Sequence, residues 1–128
     1  MFYPKNLRGN LQPWEQLPAA AGTYKAGQLL NVTGGKLTAI SAACKTKPGY
    51  LCMADATVSD GENLPVARVE SDTIFVTTLS TAAASAAVGS LLEVSAGGEQ
   101  VDAAAAGTFE LVYVGGTAAG DEVHGRFQ

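Results

Sequence analysis

Reactive side chains are scarce in this chain of 128 residues, which has one histidine, two cysteines and no recognisable nucleophile motif. Charge is scarce too, at 16% of residues, and aromatics reach only 7%. A monomer bathed in water carries more charge than that, so the surface reads as one that something else covers. Oligomerisation is therefore the first expectation. No apolar run approaches the roughly 20 residues that a membrane span requires. Residues 1–5 lack the apolar stretch of a secretory signal, which argues against export by that route. Cys44 and Cys52 lie eight positions apart, outside any metal-cluster spacing. Without a secretory signal they read as free thiols rather than a disulfide.

What the chain does contain is a repeated phrase. Gly27-Gln28-Leu29-Leu30-Asn31-Val32 returns 62 positions later as Gly89-Ser90-Leu91-Leu92-Glu93-Val94. Each copy runs into a glycine pair, Gly34-Gly35 and Gly97-Gly98, and then into a second apolar stretch. Two apolar runs around a Gly-Gly turn predict a β-hairpin in each copy. Further strands are expected at 50–53, at 64–70 with Pro65 marking a start or an edge, at 73–79, at 108–114 and at 121–127. In the strand at 108–114, alternation puts Phe109, Leu111 and Tyr113 on one face. The alanine-rich stretch 80–88 fits either a two-turn helix capped by Ser80 or a small-residue loop. The count is eight or nine short strands with turns between them. That predicts a mainly β fold: a small β-sandwich or β-barrel-like body with two similar Gly-Gly hairpin lobes and at most one or two short helices.

Residues 1–26 differ in character from this body, taken as one domain over 27–128. Pro4, Pro13 and Pro18 interrupt ladder and helix alike, while Phe2, Tyr3 and Trp14 stand among Lys5 and Arg8. The segment reads as an extended N-terminal arm whose aromatics must dock, on the chain's own core or on a partner. Charge is also uneven. Residues 1–50 hold six lysines and arginines against one glutamate, a net of +5, and residues 51–128 hold two against eleven acids, a net of −9. Either the asymmetry attracts a partner or the two halves interleave and cancel.

No constellation for catalysis emerges. His124 has no neighbouring nucleophile and reads as a surface or interface residue. Asp55, Asp60, Glu62, Glu70 and Asp72 cluster without the spacing of a calcium loop and suit polar turns. Gly34-Gly35-Lys36 lacks the glycine spacing and the Ser/Thr of a phosphate loop. Lys36 also lacks the flanking acidic or methionine residue of a carrier lysine. The basic N-terminal half with Tyr3, Trp14, Tyr24 and Tyr50 raises nucleic-acid stacking, but the sequence pI of 4.8 opposes it. No catalytic, cofactor or metal site is expected.

The order of features is informative. An aromatic, proline-bearing arm precedes Ala26-Gly27-Gln28-Leu29-Leu30-Asn31-Val32 and Gly35-Lys36-Leu37-Thr38-Ala39. Then come Tyr50-Leu51-Cys52-Met53-Ala54-Asp55-Ala56 and Val66-Ala67-Arg68-Val69. Over residues 20–80, and more loosely beyond, this resembles the head decoration (cement) proteins of tailed bacteriophages. The resemblance implies a compact β module, made in the host cytoplasm, that sits on the outer surface of the virion capsid. Its partner would be the major capsid protein, with no direct contact to nucleic acid or membrane. It also implies a homotrimer that clamps neighbouring capsid subunits. The residues expected to reach the capsid are those of the arm: Phe2, Tyr3, Lys5, Arg8 and Trp14. A glycan- or ligand-binding adhesive β-module on a virion or cell surface is the alternative.

Overall fold

A computed structural model describes residues 1–5, 14–103 and 106–128. The described residues contain thirteen short strands and no helix. In chain order these are β1 (Tyr3–Pro4), β2 (Glu15–Pro18), β3 (Gly22–Tyr24), β4 (Leu29–Thr33), β5 (Lys36–Ala39), β6 (Tyr50–Cys52) and β7 (Ala56–Val58). There follow β8 (Asn63–Arg68), β9 (Phe75–Thr78), β10 (Leu91–Val94), β11 (Val101–Asp102), β12 (Phe109–Val114) and β13 (Glu122–Phe127). The mainly β body expected from the sequence is therefore present. Residues 80–88 form bends and turns rather than a helix.

The repeat is deeper than a pair of hairpins. One sheet has the order β2-β8-β6-β4-β5, and the other runs β1-β9-β13-β12-β10-β11. Without β1, the second order is the first with every strand replaced by its later counterpart. The registers agree rung by rung. Glu15 faces Val66 as Phe75 faces Gly125, Tyr50 faces Arg68 as Phe109 faces Phe127, and Leu30 faces Tyr50 as Leu92 faces Phe109. Each sheet curls until its edges meet, through a parallel bridge from Ala19 to Leu37 in one and from Leu79 to Val101 in the other. The turns match as well. Gly27 N–H donates to Cys52 O as Gly89 N–H does to Leu111 O, both at 2.8 Å. Gly61 N–H donates to Ala19 O as Gly120 N–H does to Leu79 O, again both at 2.8 Å. The two lobes are barrel-like duplicates.

Side chains have diverged around this shared backbone. Inside the first lobe, Ala19 sits near Tyr24, whose hydroxyl donates to Ala20 O at 2.7 Å. Burial pushes the Tyr24 phenol up from its ordinary pKa. The counterparts are Leu79 and Ala86, a trade of small for large that keeps the interior filled. The glycine turns diverge too. Gly34 and Gly35 face open space, whereas Gly98 is buried between the lobes, where an added Cβ would lie 2.4 Å from Leu29 O. Leu29 N–H donates to Gly98 O, Gly97 N–H donates to Ile40 O, and Cys44 and Val94 exchange both backbone bonds. The second hairpin turn thus welds one lobe to the other, and Leu29, Ile40, Leu51 and Val69 join the core of the second lobe.

The boundary expected at residue 26 does not separate an arm from a body. Phe2 is fully buried, β1 pairs with β9, and β2 and β3 are structural strands of the first lobe. The arm aromatics had to dock, and Phe2 docks on its own chain. Pro65 also departs from expectation, since β8 lies between β2 and β6. Its missing N–H does no harm there, because Pro65 uses only its carbonyl, which accepts from Met53 N–H at 3.0 Å. Interleaving settles half of the charge asymmetry. Residues 14–72 hold five basic groups against six acids, a net of −1, with Lys36 paired to Asp60 and Arg68 to Glu15. Residues 73–128 hold one arginine against six acids, a net of −5.

Phe2→Ala should lower stability by about 3–5 kcal/mol, read from the urea midpoint, because the aromatic cavity it leaves cannot collapse. Two glycine changes separate backbone strain from steric conflict. Gly35→Ala, with room around it, should cost about 1–2 kcal/mol. Gly98→Ala should cost roughly 3 kcal/mol or more, because the lobes must part to admit the methyl group.

Candidate functional site

Strand β1 adds a fourth rung to the outer face of the second lobe. Tyr3 faces Val76, Val76 faces His124, and His124 faces Tyr113, so one row crosses β1, β9, β13 and β12. Paired residues share a face, and here that face is turned to solvent. Tyr3 is 58% exposed and Tyr113 47%, while His124 between them is 7% exposed. A β-bulge between Leu111 and Tyr113 produces the arrangement. The extra residue turns Tyr113 out of the core, so it does not share a face with buried Phe109 and Leu111 as alternation predicts.

Polar bonds lock the row. Lys5 Nζ lies 3.0 Å from His124 Nδ1, and His124 Nε2 lies 2.7 Å from Glu122 Oε1. An ammonium can only donate, so Nδ1 accepts, the imidazole proton is on Nε2, and Nε2–H donates to Glu122. Tyr113 covers the ring, with centroids 4.5 Å apart and planes at 35°. Lys5 N–H donates to Ile74 O at 2.7 Å, which fixes the end of β1. On a neighbouring rung Arg126 pairs with Glu110 at 3.0 Å. His124 is therefore a buried strut beneath an aromatic surface, where the sequence suggested a residue at the surface or an interface.

The five arm residues separate in space. Tyr3 and Lys5 belong to this face. Phe2 lies in the core between the rings of Phe75, Phe109 and Phe127, at centroid distances of 6.2, 5.8 and 6.1 Å, and has no surface to offer. Trp14, 56% exposed, stands at the start of β2 on the other lobe. Arg8 lies outside the described residues. Sequence reasoning missed Val76, Tyr113 and Glu122 as members of the face. Alternation marked Tyr113 as core, and only the bulge reverses that.

The remaining chemical candidates have structural duties. Asp55 accepts from Ala26 N–H, Asp60 binds Lys36, and Glu62 accepts from Ser59 N–H. That last bond holds the Glu62 carboxyl below the usual carboxylate range, and Asp121 repeats the turn with Ala118. Both cysteines are free, and burial pushes the Cys52 thiol up. Among the described residues no three His, Cys, Asp or Glu side chains are grouped to hold a metal ion. The arrangement on the second lobe suits adhesion: a hydrogen-bonded outer face with two half-exposed phenols and charged groups at its margin.

Lys5→Met should leave the fold intact and loosen β1. Losing about 1 kcal/mol there speeds amide exchange at Lys5 roughly fivefold, with no matching change in β4 or β5. Hydrogen exchange followed by NMR reads both.

No family model matches the chain, and a search of curated proteins finds no relative.

Proposed function

We propose that this chain is a structural virion protein that binds the outer surface of an assembled phage capsid. There it stabilises the shell by clamping neighbouring capsid subunits as a trimer. The single observation that carries the reading is the Tyr3–Val76–His124–Tyr113 row, an aromatic stripe on a stiff antiparallel face. Tyrosine gives large contact area at little conformational cost because it has few rotatable bonds. The resemblance to phage head decoration proteins supplies the partner, and the scarcity of charged residues fits a surface largely covered in an assembly.

Strength comes from number. A row of this size falls short of the roughly 800 Å² per partner of a stable interface. Three copies joined in a trimer convert weak individual contacts into avidity. The net charge of −5 on residues 73–128 biases the face toward a basic region of the shell and away from the nucleic acid within it.

One observation favours the adhesive alternative. Tyr3 lies on the folded body rather than on a loose arm, and paired tyrosines on a rigid face also suit stacking on sugar rings. Glycan-array binding that disappears with Tyr113→Ser would move the ranking to that reading.

For the capsid reading, cosedimentation with purified empty shells is the test. Tyr3→Ser combined with Tyr113→Ser should weaken binding more than tenfold while thermal stability changes little. Light scattering should give a trimer, either free or after release from shells. A monomer with no affinity for any shell would sink the proposal.

A further inference from the structure

Each lobe has a mouth built by the first residue of the strand before the hairpin, the first residue of the sheet strand after it and the last residue of the final strand. In the second lobe these are Phe75, Phe109 and Phe127, and Phe2 fills the space between them. The shared register puts Glu15, Tyr50 and Arg68 at the same places in the first lobe. Arg68 Nη2 lies 3.6 Å from Glu15 Oε1, and Glu15 Oε2 is buried without a hydrogen-bond partner among the described residues. A buried carboxylate oxygen in that condition calls for a donor.

The strand edges differ in the same sense. The outer edge of β9 carries β1, whereas no described strand pairs with the outer edge of β2. Gln16 faces Pro65, which has no N–H, so the amide and carbonyl of Gln16 point to that free edge. Trp14 occupies the position of Ile74, the residue whose carbonyl accepts from Lys5. It is exposed where the incoming lysine would lie.

We propose that the free edge of β2 takes an extended segment of a partner polypeptide, with an aromatic residue followed three positions later by a lysine or arginine. That is the order in which Phe2 and Lys5 meet the second lobe. The segment pairs with Gln16 as an added strand, its aromatic ring lies against Tyr50 and the Arg68 guanidinium, and its cation lies over the Trp14 indole. It also brings a donor to Glu15 Oε2. The occupant is a partner rather than residues 2–5 of a second copy, because Phe2 is already buried, and Tyr3 and Pro4 already paired with β9, in their own lobe at high effective concentration. The proposal is independent of the capsid reading, since the chemistry of the site defines the segment.

The probe is the acetylated, amidated peptide Met-Phe-Tyr-Pro-Lys, titrated into the full-length 15N-labelled protein. The control peptide carries alanine in place of both Phe and Lys. Saturable shifts should appear at the Trp14 indole, Gln16 and Arg68 with a dissociation constant of about 1 mM, a typical weak affinity. The control should bind at least tenfold more weakly. Trp14→Ala, which leaves the backbone edge intact, should weaken the authentic peptide about fivefold, and Gln16→Pro should abolish binding. If Gln16→Pro does not fold, Trp14→Ala decides. No shifts at these positions, shifts confined to β9, or equal binding of the control peptide would each overturn the proposal. None of these readouts uses a shell, so the result stands apart from the cosedimentation test.

Discussion

The burial of one phenylalanine near the start of the chain holds the second lobe together. Phe2 meets Phe75 and Phe109 edge to face and lies against Phe127, while its N–H donates to Gly27 O at 2.8 Å, in the turn that opens the first hairpin. The ring closes one lobe and the backbone ties to the other. An aromatic side chain of this size buries about 150–250 Å², worth roughly 4–6 kcal/mol before ordering costs. That gain is what pins β1 to β9, and β1 in turn brings Tyr3 and Lys5 onto the outer face. The exposed row therefore depends on a buried contact two residues away.

Much of the body was legible from local pattern. The two glycine-pair hairpins stand where repetition put them, and the strands at 50–53, 64–70, 73–79, 108–114 and 121–127 appear within a few residues of expectation. Alternation and turn chemistry are short-range signals, and these elements obey them. Short strands near the start of the chain escaped. β1 has two residues and β3 has three, too few for a period, and their identity comes from the partner strand they complete. For the same reason the first 26 residues read as a separate arm. Proline and scattered polarity look like a linker until long-range pairing supplies the missing hydrogen bonds.

The candidate face was half legible. Tyr3 and Lys5 stood out because aromatics and cations are rare in this chain. Tyr113 did not, because the β-bulge that turns it outward leaves no trace in the pattern of apolar residues. His124 is buried rather than exposed at the surface for a related reason. A lone histidine near a terminus usually meets water, but here Lys5 and Glu122 satisfy both ring nitrogens and Tyr113 covers one face. Those partners come from β12, from β13 and from the residue that follows β1, at both ends of the sequence. Only the closed fold brings them together.

Duplication explains why the two lobes divide their labour. Many backbone bonds repeat between the copies, and the lobes differ in side chains, in the β3–β7 pair, in the bulge of β12 and in what covers each mouth. In the second lobe, aromatics at the mouth recruit the chain's own start and yield a dry plug. In the first, Glu15, Tyr50 and Arg68 replace three phenylalanines, so an aromatic ring placed there meets a carboxylate, a phenol and a guanidinium in place of a dry aromatic pocket. The Glu15–Arg68 pair is partly exposed, yet one Glu15 oxygen is itself buried and has no donor among the described residues. The second lobe is thus closed by its own chain, while among the described residues the first has a buried Glu15 oxygen without a donor, a β2 edge that no strand covers and an exposed Trp14 indole. The lobe finished from within presents an exposed aromatic row, and its duplicate differs at the very positions where that plug sits.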